Sequence, residues 1–164
     1  MKIGIFSDAH GSMAAVEQVY ALAPDCALWL YAGDVASDAH YLETLAGAGA
    51  TVRFVPGNCD WPNANTPETI VVEAAGHRLL LTHGHVYGVQ YGTRFLVEAA
   101  AEANCDIAVY GHTHVVEYTP GTPITVLNPG SAARPRDGAF GSFMTVDLLP
   151  GKAPSVHVHR LGQK

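Results

Sequence analysis

MKIGIFSDAHGS, the segment at residues 1–12, decides the fold because an apolar run gives way there to polar residues. Residues 2–6 are short and apolar and predict a strand. Asp8 stands directly beyond that run, and Ser12 is suited to cap a helix over residues 13–23. The segment therefore predicts a strand, a polar loop and a helix, which is the first unit of a layered α/β arrangement.

The alternation of strand and helix continues beyond this unit. Residues 26–32 form an apolar run without alternation, which is typical of a strand covered on both faces. A helix near residues 38–48 and a strand at residues 51–55 follow. This βαβαβ order predicts a parallel sheet.

The second half of the chain changes character. Runs at residues 69–75 and 78–81, joined at Gly76-His77, predict a hairpin, and a helix is expected over residues 91–103. The other expected strands lie at residues 106–110, 114–118, 123–127, 140–148 and 154–160. We therefore expect an α/β fold of two packed mixed sheets flanked by helices, in a single domain over residues 1–164, since this length suits one core.

The charge balance narrows the range of partners. Hydrophobic residues make up 48% of the chain and charged residues 15%, which argues against disorder. With 9 Lys plus Arg against 15 Asp plus Glu, the formal charge is −6. An acidic chain without a basic run has no electrostatic footprint for long nucleic acid or for an anionic membrane. An anionic substrate would need positive charge from another source, such as bound metal ions.

Cysteine usage and the first residues predict the compartment. Cys26, Cys59 and Cys105 are odd in number and widely spaced, which favours a reducing environment over a disulfide framework. We expect Cys26 and Cys105 to be small buried hydrophobes. The start of the chain lacks a signal-peptide pattern, and no apolar run is long enough to cross a membrane. The expectation is a cytoplasmic protein; a homo-oligomer is common at this size and stays open.

Residues that can bind metals follow the predicted strands. The set is Asp8, His10, Asp34, Asn58, His83, His85, His112 and His114. Loops at the carboxyl ends of strands converge on one edge of an α/β sheet, so these side chains should meet there. Carboxylate, imidazole and amide ligands without a thiolate set suit Mn²⁺, Fe, Co²⁺, Ni²⁺ or Zn²⁺. Asp34 has two carboxylate oxygens and can bridge two ions.

Five short motifs in this order resemble those of the calcineurin-like metallophosphoesterase superfamily, in particular its small single-domain prokaryotic branch. They are Asp8-Ala9-His10, Gly33-Asp34, Gly57-Asn58-Cys59-Asp60, His83-Gly84-His85 and Gly111-His112-Thr113-His114, and Asn128-Pro129-Gly130-Ser131 followed by Arg134 extends the match. The resemblance implies a four-layer α/β/β/α sandwich and hydrolysis of phosphate esters, often with Mn²⁺.

The resemblance also assigns ligands to two divalent metal ions. One ion would take Asp8, His10, Asp34 and His114, and the other would take Asp34, Asn58, His83 and His112. The two ions would activate a water molecule, and the resulting hydroxide would attack phosphorus in line. The expected substrate is a small phosphate ester, with a phosphodiester favoured.

The third motif does not identify the residue that would protonate the leaving group. Cys59 stands where many members of the superfamily have a histidine that protonates the leaving group, although cysteine at this place also resembles the small branch. Candidate catalytic residues are Asn58, which would stabilise phosphoryl charge, and Cys59, Asp60 and His85 as helpers. Arg134 and Arg136 are either solvated or able to reach a phosphate.

Other readings compete with a phosphoesterase. A non-catalytic, metal-bearing scaffold of the retromer-subunit type is the main alternative; it would be free to lose ligands, whereas all are present here. A metallo-β-lactamase would show His-x-His-x-Asp-His, which is absent, and a structural metal site would close its coordination, often with cysteine. Four further histidines are expected at the surface: His40 in a helix, His77 in a turn, and His157 and His159 on the polar face of a strand.

Overall fold

The computed structural model describes residues 1–61, 63 and 65–162. Strands and helices alternate in its first part, and strands predominate later. The elements are β1 (Lys2–Phe6), α1 (Met13–Leu22), β2 (Leu28–Tyr31), α2 (Ser37–Ala46), β3 (Thr51–Phe54), β4 (Thr69–Ala74), β5 (His77–Thr82), α3 (Arg94–Glu102), β6 (Ile107–Val109), β7 (Val116–Thr119), β8 (Thr125–Pro129), β9 (Ser142–Asp147) and β10 (Ser155–Arg160). Ser12 caps α1 as predicted, because its Oγ accepts a hydrogen bond of 3.3 Å from the Ala15 N–H.

The strands form two five-stranded mixed sheets. The first has the order β10-β9-β1-β2-β3, and β1, β2 and β3 are parallel to one another. The second has the order β4-β5-β6-β8-β7, with β5, β6 and β8 parallel. The parallel βαβαβ unit predicted from the first part of the chain is therefore confirmed.

Strand β2 shows why the first sheet is apolar on both faces. Leu28 and Leu30 point into the core between the two sheets, whereas Trp29 and Tyr31 point towards α1 and α2. The packing on the helix side is tight, since a Cβ at Gly4 would lie 2.3 Å from the Trp29 ring. The continuous run that lacked alternation is explained by this double coverage.

Helix α3 covers the outer face of the second sheet. Leu96 and Ala100 of this helix pack with Leu80, Ala108 and Val126 of the strands beneath. The order of layers is helix, sheet, sheet, helix, which confirms the expected α/β/β/α sandwich. Among the described residues, no helix has both the length and the apolarity needed to span a bilayer.

Some predicted boundaries were wrong. The hairpin between β4 and β5 turns at Ala75-Gly76, with φ of 49° and 81°, so His77 pairs with Ala74 as the first residue of β5. Two positive φ values are what a two-residue type I′ turn requires. Alanine seldom adopts such a conformation, so the turn was predicted one residue too late.

His77 is buried, which corrects its predicted place at the surface. Its side chain is 5% exposed, with Nδ1 2.5 Å from Asp106 Oδ2 and Nε2 3.0 Å from the Leu149 carbonyl oxygen. Each ring nitrogen thus faces an accepting oxygen. The side chain thereby joins β5 to the loop before β6 and the loop after β9.

We expect His77→Ala to lower the free energy of unfolding by about 2–3 kcal/mol, because it removes a buried ring together with its contacts to Asp106 and to the Leu149 carbonyl. Urea denaturation followed by circular dichroism measures this change. His157→Ala on exposed β10 is the matched control and should change stability by less than about 0.5 kcal/mol. Equal effects of the two substitutions would contradict the role assigned to His77.

The other side chains expected at the surface or in the core are also placed. His40 and His157 are exposed, as predicted, and Cys26 and Cys105 are buried. The His159 side chain is half-buried, because its ring stacks on Phe143 with a centroid separation of 4.5 Å. The prediction of a simple polar face on β10 is therefore wrong for His159.

Candidate metal centre

The candidate metal ligands lie at one edge of the two sheets. They follow the carboxyl ends of β1, β2, β3, β5 and β6, where the connecting loops converge. The residues brought together are Asp8, His10, Asp34, Asn58, His83, His112 and His114. Their donor atoms form two adjoining groups.

The first group is formed by Asp8, His10 and His114. Asp8 Oδ1 lies 3.1 Å from His114 Nε2 and 3.9 Å from His10 Nε2. The two imidazole Nε2 atoms lie 3.3 Å apart. Close approach of a carboxylate oxygen and two imidazole nitrogens is a ligand arrangement that suits a divalent transition metal.

The second group surrounds Asn58 and His83. Asn58 Oδ1 lies 3.1 Å from His83 Nε2 and 2.9 Å from His112 Nδ1. Asp34 Oδ1 lies 3.6 Å from the same His83 nitrogen. This group therefore has an amide oxygen, a carboxylate oxygen and two imidazole nitrogens directed at one region.

Asp34 lies between the groups. Its Oδ2 is 4.0 Å from His10 Nε2 in the first group, while its Oδ1 faces His83 in the second. Burial alone would raise the pKa of Asp34, but the Cys59 backbone N–H, which donates to Oδ1 at 2.8 Å, and the nearby His83 hold that pKa below its ordinary value. The carboxylate is thus ionised at neutral pH and can present one oxygen to each group.

The backbone at this edge adopts unusual conformations. Five of the candidate ligands have a left-handed φ, which is uncommon in residues other than glycine and concentrates at functional sites. The residues and their φ values are Asp8 54°, His10 49°, Asp34 64°, His112 65° and His114 60°.

Two glycines allow the chain to approach the carboxylates closely. A Cβ at Gly57 would lie 2.1 Å from Asp34 Oδ1, and a Cβ at Gly111 would lie 2.0 Å from Ser7 Oγ and 2.8 Å from Asp8 Oδ2. Neither position can carry a side chain without displacing the candidate ligands. The glycines of the third and fifth motifs are therefore required by the geometry of the cluster.

A ring of hydrogen bonds orients the donor atoms. Ser7 Oγ and the His112 N–H donate to Asp8 Oδ2 at 2.6 and 3.1 Å. The Nδ1 atoms of His83 and His114 each lie 2.7 Å from a backbone carbonyl, of Ala32 and Arg134 respectively. Each ring therefore donates through Nδ1 and directs the lone pair of Nε2 into the cluster, as metal-binding histidines do.

The surroundings of the Asp8 carboxylate show whether the cluster suits a bound cation. Its side chain is fully buried, and Oδ1 has no aligned hydrogen-bond donor among the described residues. A buried carboxylate is costly unless it is paired, and here the nearest groups are imidazole nitrogens with inward lone pairs. The donor set therefore fits divalent metal ions.

The histidine pKa values differ across the cluster. Interaction with the Asp8 carboxylate raises the pKa of His114. Burial lowers the pKa of His10 and of His112, and the charge of Arg134 adds to the lowering at His10. The neutral imidazole that a metal requires is thus favoured at His10 and His112.

Asp60 faces backbone amides. One carboxylate oxygen accepts from the Val35 N–H at 3.1 Å and the Gly57 N–H at 2.8 Å, and the other accepts from the Ala36 N–H at 2.8 Å. These bonds tie the loop after β3 to the loop after β2. The predicted role of Asp60 as a catalytic helper stays a prediction, and its contacts favour a positioning role.

The two other candidate helpers lie on different sides of the cluster. A hydrogen bond to Asp34 raises the pKa of the exposed Cys59 thiol to about 11, so the thiol keeps its proton at neutral pH. His85 lies with its ring centroid 6.2 Å from that of His112 and its Nε2 3.4 Å from Glu68 Oε1. It borders a cavity of about 700 Å³ shared with Asn58 and the exposed Trp61.

Sequence reasoning missed Asp38. Its buried carboxylate accepts from the Gly11 N–H at 3.0 Å and lies 3.3 Å from the Tyr31 hydroxyl, so it holds the loop after β1 near α2. The available signal was an acidic residue in the first turn of a helix directly after the Gly33-Asp34 motif.

The four-layer fold, with its Asp/His/Asn cluster at the edge of the sheets, defines a protein of the metallophosphoesterase class. A model of the calcineurin-like phosphoesterase superfamily domain matches residues 1–150. Phosphodiesterase YfcE of Escherichia coli strain K12 is 32% identical over 170 aligned positions, which cover 90% of this chain and 88% of that protein. The chain belongs to the calcineurin-like phosphoesterase superfamily.

Solved structures extend the comparison. A conserved, predicted phosphoesterase from Streptococcus pneumoniae has a TM-score of 0.74 at 26% identity, with 96% of this chain and 97% of that chain covered. Zinc-bound wild-type Vps29 from Entamoeba histolytica has a TM-score of 0.76 at 25% identity, with 98% of both chains covered. The family binds divalent metals, and its phosphodiesterase members support hydrolase activity for this chain.

Proposed function

We propose that this chain is a dinuclear metal-dependent phosphodiesterase that hydrolyses a small phosphate ester within a single domain over residues 1–164. The observation that carries the proposal is the position of Asp34, whose two oxygens face two separate groups of donors. Similarity to a phosphodiesterase over most of the chain supports the choice of reaction.

The proposed ligands follow the two groups. Asp8, His10, Asp34 and His114 would hold one ion, and Asp34, Asn58, His83 and His112 would hold the other. We propose Mn²⁺ as the resident metal, with Ni²⁺, Co²⁺, Zn²⁺ and Fe as alternatives that the same donor types accept. When bound, such ions lower the pKa of water and supply positive charge for phosphoryl oxygens.

The protein's own groups have separate tasks in this proposal. The Asn58 amide orients a phosphoryl oxygen, because it lies at the mouth of the cluster and lines the adjoining cavity. Cys59 and His85 line different cavities at the cluster and are the candidates for protonating the leaving group. Asp60 keeps Asn58 in place through the Gly57 N–H.

The experiment is metal add-back. Protein stripped by chelation is assayed with bis-p-nitrophenyl phosphate and p-nitrophenyl phosphate after addition of Mn²⁺, Ni²⁺, Co²⁺, Zn²⁺ or Mg²⁺ singly. We expect no turnover without metal, and with Mn²⁺ a kcat/KM for the diester about tenfold or more above that for the monoester. Mass spectrometry of the loaded protein should give two ions per chain. A preference for the monoester would make the protein a phosphomonoesterase instead.

A second candidate function is a metal-bearing protein-interaction scaffold. It is favoured by the close structural likeness to Vps29, with a TM-score of 0.76. Two bound ions per chain without turnover of either ester under any metal would support the scaffold over the enzyme. The presence of every candidate ligand favours the enzyme, because a scaffold has no need of two open metal sites.

A further inference from the structure

The loop between β8 and β9 places two arginines beside the cluster. Arg134 and Arg136 line a cavity of about 360 Å³ together with His10, His114 and Asn58. Both arginines are exposed. Both side chains can therefore contact an anion that is bound in this cavity.

The backbone that carries these arginines is fixed to the cluster. Ser131 Oγ accepts from the Arg134 N–H at 2.7 Å and donates to the Asp8 carbonyl at 2.8 Å. The Arg134 carbonyl accepts from His114 Nδ1 at 2.7 Å, and the Arg136 N–H donates to the His114 carbonyl at 3.0 Å. Hydrogen bonds on both sides of His114 therefore determine where the two side chains begin.

Their charges have no carboxylate partner in the described part of the chain. Three of the other arginines contact carboxylates: Arg78 contacts Glu73, Arg94 contacts Glu98 at 2.8 Å and Arg160 contacts Asp137. Arg53 instead donates to the Val52 carbonyl at 3.2 Å. The acid nearest in sequence, Asp137, is already held by Arg160 at 3.0 Å. It also accepts from the Val116 N–H at 2.9 Å.

The chain has a formal charge of −6, so acidic residues outnumber the basic ones that they could pair with. Unpaired positive charge is placed at the rim of the candidate site, on the side of His114, while the acid that would neutralise it is occupied. A guanidinium binds a phosphoryl group through paired hydrogen bonds. Two guanidinium groups can together bind a phosphoryl group in addition to one that is held at the cluster.

We propose that Arg134 and Arg136 form a subsite for a second phosphoryl group of the substrate, adjacent to the phosphoryl group that reacts. This rests on the proposed function and narrows it, because the substrate would then be a phosphate ester with a second phosphate beside the scissile one. The subsite lies on the His114 side of the cluster, whereas the cavity bordered by Trp61 and His85 is left for the organic part.

The experiment measures binding directly, by calorimetric titration of Mn²⁺-loaded protein with methylphosphonate and with methylenediphosphonate. Wild-type protein should bind the diphosphonate about 30-fold more tightly, as expected for charge-assisted bonds to a second group. In R134Q/R136Q that preference should fall to about threefold or less. R94Q makes the same kind of charge change on α3 and should keep the wild-type preference.

The outcomes separate this proposal from the proposed function. Retention of the preference in R134Q/R136Q, or equal loss of affinity for both probes, would overturn the second-phosphoryl subsite. Turnover of bis-p-nitrophenyl phosphate by wild-type protein is measured in parallel. Its absence would refute the phosphodiesterase while the ratio of the two dissociation constants still decides whether the arginines bind a second phosphoryl group.

Discussion

Asp34→Asn is expected to lower kcat/KM for bis-p-nitrophenyl phosphate by about a thousandfold or more. Asn has the same size and shape, but its amide nitrogen carries protons and cannot act as a ligand. One of the two groups of donors would therefore lose an oxygen, and the other would keep a neutral oxygen in place of a charged one. We expect the Mn²⁺ content to fall from two ions to one or fewer per chain.

The effect should be on metal binding and not on folding. The metal-free variant should unfold at the same urea concentration as metal-free wild type or above it, because a buried charge has been removed. Asp147→Asn at the exposed end of β9 is the matched control and should keep full activity and both ions. Turnover near the wild-type rate with a full metal content in Asp34→Asn would remove Asp34 from the site.

The clustering of the candidate ligands was predictable because it depends on a general property of α/β sheets. Side chains that follow the carboxyl ends of neighbouring strands meet at one edge, whatever their separation in sequence. His83 and His112 follow β5 and β6, whose pairing brings Leu81 beside Val109. The two rings then lie with their centroids 5.1 Å apart. No knowledge of loop conformation was needed to expect this.

The tasks of side chains outside the predicted ligand set were less predictable, because their partners are backbone groups from remote segments. His77 was expected in an exposed turn, yet its Nε2 lies 3.0 Å from the carbonyl oxygen of Leu149, a residue 72 positions away in the sequence. Asp38 was expected only as a helix residue, yet it holds the loop after β1 through the Gly11 N–H. Residue type and local pattern carry no information about such contacts.

Asp60 illustrates the same limit with a functional consequence. Placed next to Asn58 and Cys59, it was a reasonable candidate for a catalytic helper, because carboxyl groups commonly transfer protons. Its oxygens instead accept three backbone N–H groups, from Val35, Ala36 and Gly57. A carboxyl group that accepts this many backbone N–H groups is suited to hold the neighbouring loops in place.

Asp60→Ala is expected to lower kcat/KM about 100-fold and the free energy of unfolding by about 2–4 kcal/mol. Three backbone donors would lose their acceptor, and the loops that carry Asp34 and Asn58 would no longer be held together. Steady-state kinetics with Mn²⁺ and urea denaturation measure the two effects. Asp25→Ala removes an exposed carboxylate that contacts Lys2 at 3.0 Å and should change neither.

Asp60→Asn then distinguishes positioning from proton donation. Asparagine keeps one acceptor oxygen, which can serve the Val35 and Gly57 N–H groups, and loses the bond to the Ala36 N–H. A positioning role therefore predicts that Asp60→Asn restores activity to within about tenfold of wild type, with the limbs of the pH–rate profile in place. A proton donor would behave differently: Asp60→Asn would be as damaging as Asp60→Ala, the alkaline limb would disappear, and the loss would grow as the leaving-group alcohol became less acidic. Because the three amides already occupy both oxygens, we expect the first pattern, which would leave Cys59 or His85 as the proposed proton donor.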